Sequence, residues 1–165
     1  MTNARIRALV EQHGWATMIV GAGQCQCCET PDPASESILF YTIGLTDHGH
    51  PELVLSGLDH QTGAYLVNEL AAGVLCDGKK MKHGSEVQDL LVLQPSGEKV
   101  SGYFTEACLD ALYKLKQYYP DTGVTALQLI YPDAQGLYPW DEGYDFPTQH
   151  CYAPGGVWGR PGNNG

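Results

Sequence analysis

Two short apolar runs separated by a polar, glycine-containing break constrain the fold of this chain more than any other feature. Residues 38–43 (ILFYTI) are rich in β-branched and aromatic side chains, which predicts a strand that is buried on both faces. Residues 44–51 interrupt the run with two glycines, two histidines and a proline, and residues 52–56 (ELVLS) resume it. Because the connection is tight, the two strands are predicted to be antiparallel neighbours.

Helices and further strands surround this pair without a regular alternation. An amphipathic helix is predicted for residues 3–13, and a second helix, capped by Asp59, extends to about residue 74. A third helix is predicted to begin at a Thr105 cap and to end before Pro120. Further strands are predicted at residues 15–20, 89–94, 100–104 and 124–131.

These elements predict an α+β fold with a mainly antiparallel sheet. About three helices are expected to pack on one face of that sheet. Residues 1–150 are predicted to form a single domain, since no internal boundary or repeat interrupts them. Residues 151–165 are rich in glycine and are predicted to form a flexible tail.

Charge and composition exclude several classes of protein. The chain has 165 residues, of which 43% are hydrophobic, so it is not wholly disordered. Its 9 basic and 19 acidic side chains give a net charge of −10, which disfavours nucleic-acid binding. No apolar stretch reaches the roughly 18 residues of a membrane span, and Glu11 and Gln12 interrupt any secretory signal. We therefore expect a cytoplasmic protein that binds neither nucleic acid nor membrane.

Several separated motifs resemble one known family and occur in the same order. They are HGW at 13–15, FYTIGLT at 40–46, GHPEL at 49–53, LQLIYPD at 127–133 and GLYPWDEG at 136–143. Over about residues 5–146 the chain resembles the family catalogued as domain of unknown function 4262. The resemblance implies a compact, soluble bacterial protein with no assigned activity, so it implies no catalytic residues. The cysteine-rich loop and the glycine-rich tail depart from the shared pattern.

The break between the two apolar runs is the first candidate site, which we call the turn site. It comprises Tyr41, Thr46, His48, His50 and Glu52. Histidine can act as an acid, a base or a ligand near neutral pH, and Glu52 could orient it, so His50 and Glu52 are the candidate catalytic residues. The alternative is structural: a histidine before proline can bond to the backbone while the glycines form the turn.

An aromatic and acidic segment near the C-terminus is the second candidate. Tyr138, Trp140 and Asp141 are predicted to bind a ligand, since aromatic rings and carboxylates can stack on and hydrogen-bond a flat or cationic molecule. Trp140 is predicted to line one cavity together with the turn site. The alternative is a loop that folds over the sheet and uses its aromatic rings for packing.

The third candidate is a cysteine-rich loop. Cys25 and Cys28 have the spacing of a zinc knuckle, with Cys27 between them, and His150 and Cys151 could complete a tetrahedral zinc site. A redox role for this loop is a second possibility. Both are weakened by the lack of a second Cys-x-x-Cys and of a thioredoxin-like strand and helix, so unligated thiols are the alternative.

Other reactive side chains are predicted to have structural roles. Cys76 and Cys108 lie among apolar residues and are expected in the core. Residues 79–83 (KKMKH) form the basic cluster of the chain, but no glycine-rich phosphate loop accompanies them, which favours a solvated loop.

The sequence favours a binding module over the other functions that it allows. An acidic, aromatic-lined domain is expected to bind a small molecule or a basic partner protein, as an antagonist or immunity-like protein would. One alternative is a small enzyme centred on His50 and Glu52, and another is a metal or redox protein that uses Cys25 and Cys28. A concave pocket with convergent polar groups would favour a small ligand or an enzyme, whereas a flat acidic face would favour a protein partner.

Overall fold

The computed structural model describes residues 2–21, 37–88, 100–120 and 123–154. Within these ranges the helices are α1 (Asn3–His13), α2 (His60–Cys76) and α3 (Tyr113–Tyr118). The strands are β1 (Ala16–Val20), β2 (Leu39–Ile43), β3 (Glu52–Ser56), β4 (Glu86–Val87), β5 (Gly102–Ala107) and β6 (Ala126–Ile130). One 3-10 turn, Leu45–His48, lies between β2 and β3.

The described strands form one sheet in the order β1-β2-β3-β6-β5-β4. Strands β2 and β3 are antiparallel, with Phe40 opposite Leu55, as the tight connection predicts. The β3–β6 pair is parallel, and the remaining pairs are antiparallel. The α+β class and the mainly antiparallel sheet are therefore confirmed.

Helices cover both faces of the sheet rather than one. Helix α2 packs on a cluster that includes Phe40 and Leu55, whereas α1 and α3 pack on a second cluster that includes Tyr41 and Val54. Alternate residues of a strand point to opposite faces, and every residue of β2, β3 and β6 is buried. Strands that are apolar on both sides need cover on both sides, which explains why the one-face arrangement is wrong.

Local signals set the ends of the two long helices. The Thr2 hydroxyl accepts a hydrogen bond from the Arg5 N–H at the start of α1, and Gly14 ends that helix with φ +94°. The Asp59 carboxylate accepts from the Thr62 N–H at the start of α2. Each described helix is too short or too polar to cross a membrane.

The third helix begins later than its sequence predicts. Thr105 does not cap a helix; it continues β5, where Thr105 lies opposite Gln128 and Ala107 lies opposite Ala126. Helix α3 starts only at Tyr113. The β-branched side chain of Thr105 fits a strand. Pairing with β6 also gives the backbone N–H and C=O groups of this segment their hydrogen-bond partners, so no helix cap is needed.

Candidate functional site

The Glu52 carboxylate is the centre of the turn site and has no exposed surface. Its Oε1 accepts hydrogen bonds from the Thr42 hydroxyl at 2.8 Å and from the Leu45 N–H at 3.1 Å. Its Oε2 accepts from the Gly44 N–H at 3.3 Å and from both the N–H and the hydroxyl of Thr46. The turn before β3 therefore wraps its donors around one carboxylate.

This environment suits a carboxylate that acts as an acceptor only. Burial raises the pKa of Glu52 above its usual range, and the hydrogen bonds from Thr46, Thr42 and Leu45 act in the opposite direction. The Thr42 hydroxyl accepts from the Leu53 N–H, so its own proton points to Glu52. With five donors in place, both oxygens of Glu52 serve the turn.

His50 also has both of its polar atoms engaged. Its Nδ1 lies 2.7 Å from the Pro51 carbonyl oxygen, which can only accept, so Nδ1 carries the proton. Its Nε2 accepts from the Met81 N–H at 3.0 Å. The ring is 7% exposed and links the turn to the segment that follows α2. The geometry supports the structural interpretation of this histidine.

The other members of the turn site do not converge on one pocket. Tyr41 is fully buried on the face of α1 and α3, and its hydroxyl accepts from the Lys114 N–H at 3.1 Å. His50 faces Met81, which packs with the cluster on the opposite face. His48 is exposed, whereas Thr46 donates a hydrogen bond to Glu52.

Three aromatic rings form a partly exposed surface that we call the aromatic patch: Tyr103, Tyr138 and Trp140. Tyr138 and Trp140 are stacked, with ring centroids 5.2 Å apart and planes 1° apart. Tyr103 meets both edge-on, at centroid distances of 5.3 and 5.9 Å. Sequence reasoning singled out Tyr138 and Trp140 but missed Tyr103, which comes from β5.

Carboxylates border the aromatic patch. Burial raises the pKa of Tyr138 to about 12, and the nearby Tyr103, Glu86 and Asp141 also raise it. Glu86 lies on β4 directly opposite Tyr103. Asp141 additionally accepts from the Tyr138 N–H at 2.9 Å, so it orders the backbone beside the ring. Aromatic and acidic groups thus share one edge of the sheet.

The turn site and the aromatic patch lie apart. Glu52 is opposite Ala126 on β6, whereas Tyr103 is opposite Ile130 on the same strand. Four residues of strand correspond to about 13 Å along β6. In addition, Glu52 is on β3 and Tyr103 is on β5, the two strands that flank β6. Trp140 packs on Tyr103, which places it toward the end of β6 that lies away from Glu52.

Asp133 organises the loop that carries the aromatic patch, a role that sequence reasoning missed. Its Oδ1 accepts from the N–H groups of Gln135 and Leu137, and its Oδ2 accepts from the Asp145 N–H, each at 2.9 Å. Burial raises the pKa of this carboxyl, but these N–H donors together with the N–H of Gly136 outweigh burial and hold the pKa below its usual value of 3.8. An aspartate three residues before Gly136 is a turn signal that could have indicated this.

Replacing Asp133 with asparagine is expected to reduce the free energy of unfolding by about 2 kcal/mol at neutral pH, because an amide cannot accept at both ends. The lowered pKa means that the carboxylate stabilises the fold above its ordinary pKa and loses this effect as the pH falls through the folded-state value. The difference between wild type and variant should therefore shrink as the pH drops below about 4. Urea unfolding across this pH range measures it.

The matched control for this variant is Asp110→Asn, at an exposed position. It should change the free energy of unfolding by less than about 0.5 kcal/mol. A difference between wild type and Asp133→Asn that stays constant down to about pH 2 would contradict the role given to the ionised carboxylate.

The structure describes only two of the residues that were predicted to hold a zinc ion, His150 and Cys151. Cys25, Cys27 and Cys28 lie outside the described residues. His150 is exposed, and its backbone carbonyl bonds to side chains of the sheet. Cys151 is half-buried. Over residues 2–21, 37–88, 100–120 and 123–154, no three His, Cys, Asp or Glu side chains are grouped to hold a metal ion.

The predictions for Cys76, for Cys108 and for the basic cluster have different outcomes. Cys76 is exposed at the end of α2, so its assignment to the core is wrong, and Cys108 is half-buried. Cys76 lies in the last turn of α2, outside the buried stripe that includes Leu70, Ala71 and Val74. The basic cluster at 79–83 is a solvent-facing loop, as expected, and it borders a groove of about 450 Å³ between α2 and β4.

Comparison with known protein families identifies the family to which this domain belongs. A family model described as a domain of unknown function (DUF4262) matches residues 9–145. The chain belongs to the DUF4262 family. The match spans both the turn site and the aromatic patch, and the resemblance drawn from the sequence motifs is confirmed. No curated protein and no solved structure gives a significant match to this DUF4262 chain.

Proposed function

We propose that this DUF4262 protein is a binding module whose aromatic patch holds a cationic group. The group belongs either to a small molecule or to a basic partner protein. The observation that carries the proposal is the parallel stack of Tyr138 and Trp140, closed on one side by Tyr103 and left partly open to solvent.

Ring chemistry supports a cationic ligand. The faces of aromatic rings carry partial negative charge, and tryptophan attracts cations most strongly. Several rings at different angles can contact one alkylammonium or guanidinium group at once, and Tyr103 is inclined by 67° to the stacked pair. A cation held there would contact ring surface on two sides.

The surrounding charge supports the same ligand class. Glu86 and Asp141 lie close enough to raise the pKa of Tyr138. Glu142, which follows Asp141 in the chain, is exposed, and the whole chain carries a net charge of −10. Such a field attracts cations over distance and repels polyanions. At the turn site, by contrast, the polar atoms of His50 and Glu52 already bond within the protein, which supports binding at the patch over catalysis at the turn.

Calorimetric titration of the full chain tests the proposal. The probes are tetramethylammonium, choline, free arginine and a short peptide that is rich in lysine and arginine. We expect saturable binding of at least one of them, and the arms of the series separate a small cation from a basic protein. Replacement of Trp140 with alanine should weaken that binding by about tenfold, since cation–π contacts contribute about 1–2 kcal/mol.

Two further variants make the test specific. Glu86→Gln should weaken binding by about threefold, and its effect should decrease at high salt. Trp15→Phe is the matched control, because Trp15 bonds to Asn68 on α2, away from the patch. Equal affinity of wild type and Trp140→Ala, or no saturable binding of any probe, would contradict the proposal.

A further inference from the structure

We propose that Cys108 and Cys151 are a redox pair that forms an intramolecular disulfide. The bond would fasten the C-terminal segment, defined here as residues 149–152, to the end of β5. This modification site is independent of the aromatic patch and of the cysteine-rich loop.

The backbone brings the two residues together. The Cys108 N–H donates to the Tyr152 carbonyl at 2.6 Å, so the chain beyond β5 runs beside the C-terminal segment. Cys151 directly precedes Tyr152, so the two cysteines lie on neighbouring stretches of chain. A disulfide spans Cα separations of about 4.4–6.8 Å, so it can join only stretches of chain that run side by side as these do.

The electrostatics agree with this proximity. Burial raises the pKa of the Cys151 thiol, an N–H of Ala153 lowers it, and the neighbouring Cys108 raises it again. The effect of Cys108 on Cys151 agrees with the backbone contact between the two stretches of chain. Both residues are half-buried, so a small oxidant can reach them without unfolding the protein.

The other described cysteine lies elsewhere. Tyr152 and Ala107, the neighbours of the pair, pack with the cluster on the face of α1 and α3. Cys76 ends α2, which covers the opposite face of the sheet. Within the described residues, Cys108 and Cys151 are therefore the pair that the fold brings together.

A low-molecular-weight disulfide such as oxidised glutathione supplies the oxidant. One protein thiolate attacks a sulfur of glutathione disulfide, which forms a mixed disulfide and releases one glutathione thiolate. The second protein thiolate attacks the protein sulfur of that mixed disulfide and releases the other glutathione. The two cysteines lose two electrons and two protons, and glutathione disulfide gains them.

The disulfide would reinforce an existing attachment. The His150 carbonyl accepts from the Ser56 hydroxyl and from the Gln128 side chain, and the Gln149 side chain bonds to both backbone groups of Tyr131. A disulfide lowers the conformational entropy of the unfolded chain more than that of the folded chain, and so it stabilises the folded state. The oxidised protein should melt about 5–10 °C higher than the reduced protein.

Peptide mapping of the full chain provides the test. The reduced protein is equilibrated under native conditions with defined ratios of reduced and oxidised glutathione, alkylated, digested with trypsin and analysed by mass spectrometry. Cys108 falls in the peptide Val100–Lys114, and Cys151 falls in the peptide that begins at Gln117. Each peptide contains one cysteine, so a linked pair identifies the bond without ambiguity.

We expect the linked peptide to form in oxidised buffer and to disappear when excess reduced glutathione is added. It should be absent from Cys108→Ser and should persist in the matched control Cys76→Ser. Failure of the linked peptide to form at any ratio, or linkage of Cys108 or Cys151 to another cysteine instead, would overturn the proposal. Mapping of the unmutated chain decides the question even where a variant does not fold.

Discussion

Replacement of Glu52 with alanine is expected to lower the free energy of unfolding by about 4 kcal/mol. The substitution leaves the N–H groups of Gly44, Leu45 and Thr46, and two threonine hydroxyls, without their acceptor in a buried site. Each buried donor without a partner costs about 1–3 kcal/mol, and water that enters the space recovers part of the total. Equilibrium urea unfolding measures the change.

Two comparisons isolate the cause of that loss. Glu52→Gln keeps the volume but points an amide N–H₂ at surrounding donors, so it should cost about 3 kcal/mol. Glu11→Ala, on the exposed side of α1, should change the free energy of unfolding by less than about 0.5 kcal/mol. If Glu52→Ala cost under about 1 kcal/mol, the carboxylate would not be what holds the turn.

A second large effect is expected at Gly44, where alanine should destabilise the fold by about 4 kcal/mol or prevent it from forming. The residue has φ +126°, and a Cβ there would lie 2.6 Å from the Gly14 carbonyl oxygen and 2.9 Å from the Trp15 Cα. These are backbone atoms of the α1–β1 connection, so they cannot rotate aside. Thermal unfolding, or soluble yield where the variant does not fold, measures the effect.

Gly49 provides a matched control at the other end of the same turn. It also has positive φ, +74°, but a Cβ there would meet no atom within 4 Å. Gly49→Ala should cost only about 1 kcal/mol, which is the strain of a left-handed backbone. Equal destabilisation by the two variants would show that close approach to Gly14 has no energetic role.

Local patterns in the sequence predict most of the fold. The runs around Phe40 and Leu55 mark the central strands, and the caps at Thr2 and Asp59 mark two helices. Thr105 was misassigned because a threonine before an acidic residue can begin a helix as well as continue a strand. Only pairing with Gln128, which is distant in sequence, decides between these conformations.

The candidate site was less predictable than the fold. Sequence analysis singled out His50 and Glu52 as candidate catalytic residues, but their partners in the structure are mainly backbone groups such as the Thr46 N–H and the Pro51 carbonyl. The pattern of side chains in a sequence does not show where backbone N–H and C=O groups point. Tyr103 was missed for a related reason, since only the loop ordered by Asp133 brings Trp140 back over β5.

The parallel pairing of β3 with β6 divides the molecule into two sequence-contiguous halves. On one side lie β1, β2, β3 and the turn site, and on the other lie β4, β5, β6 and the aromatic patch. Three paired positions along this seam, Glu52–Ala126 to Val54–Gln128, join strands that are more than 70 residues apart in the chain. Closing so long a loop carries an entropic cost that hairpin contacts avoid, and it slows folding. The seam is thus the slow, non-local step of assembly, and each half supplies its own site.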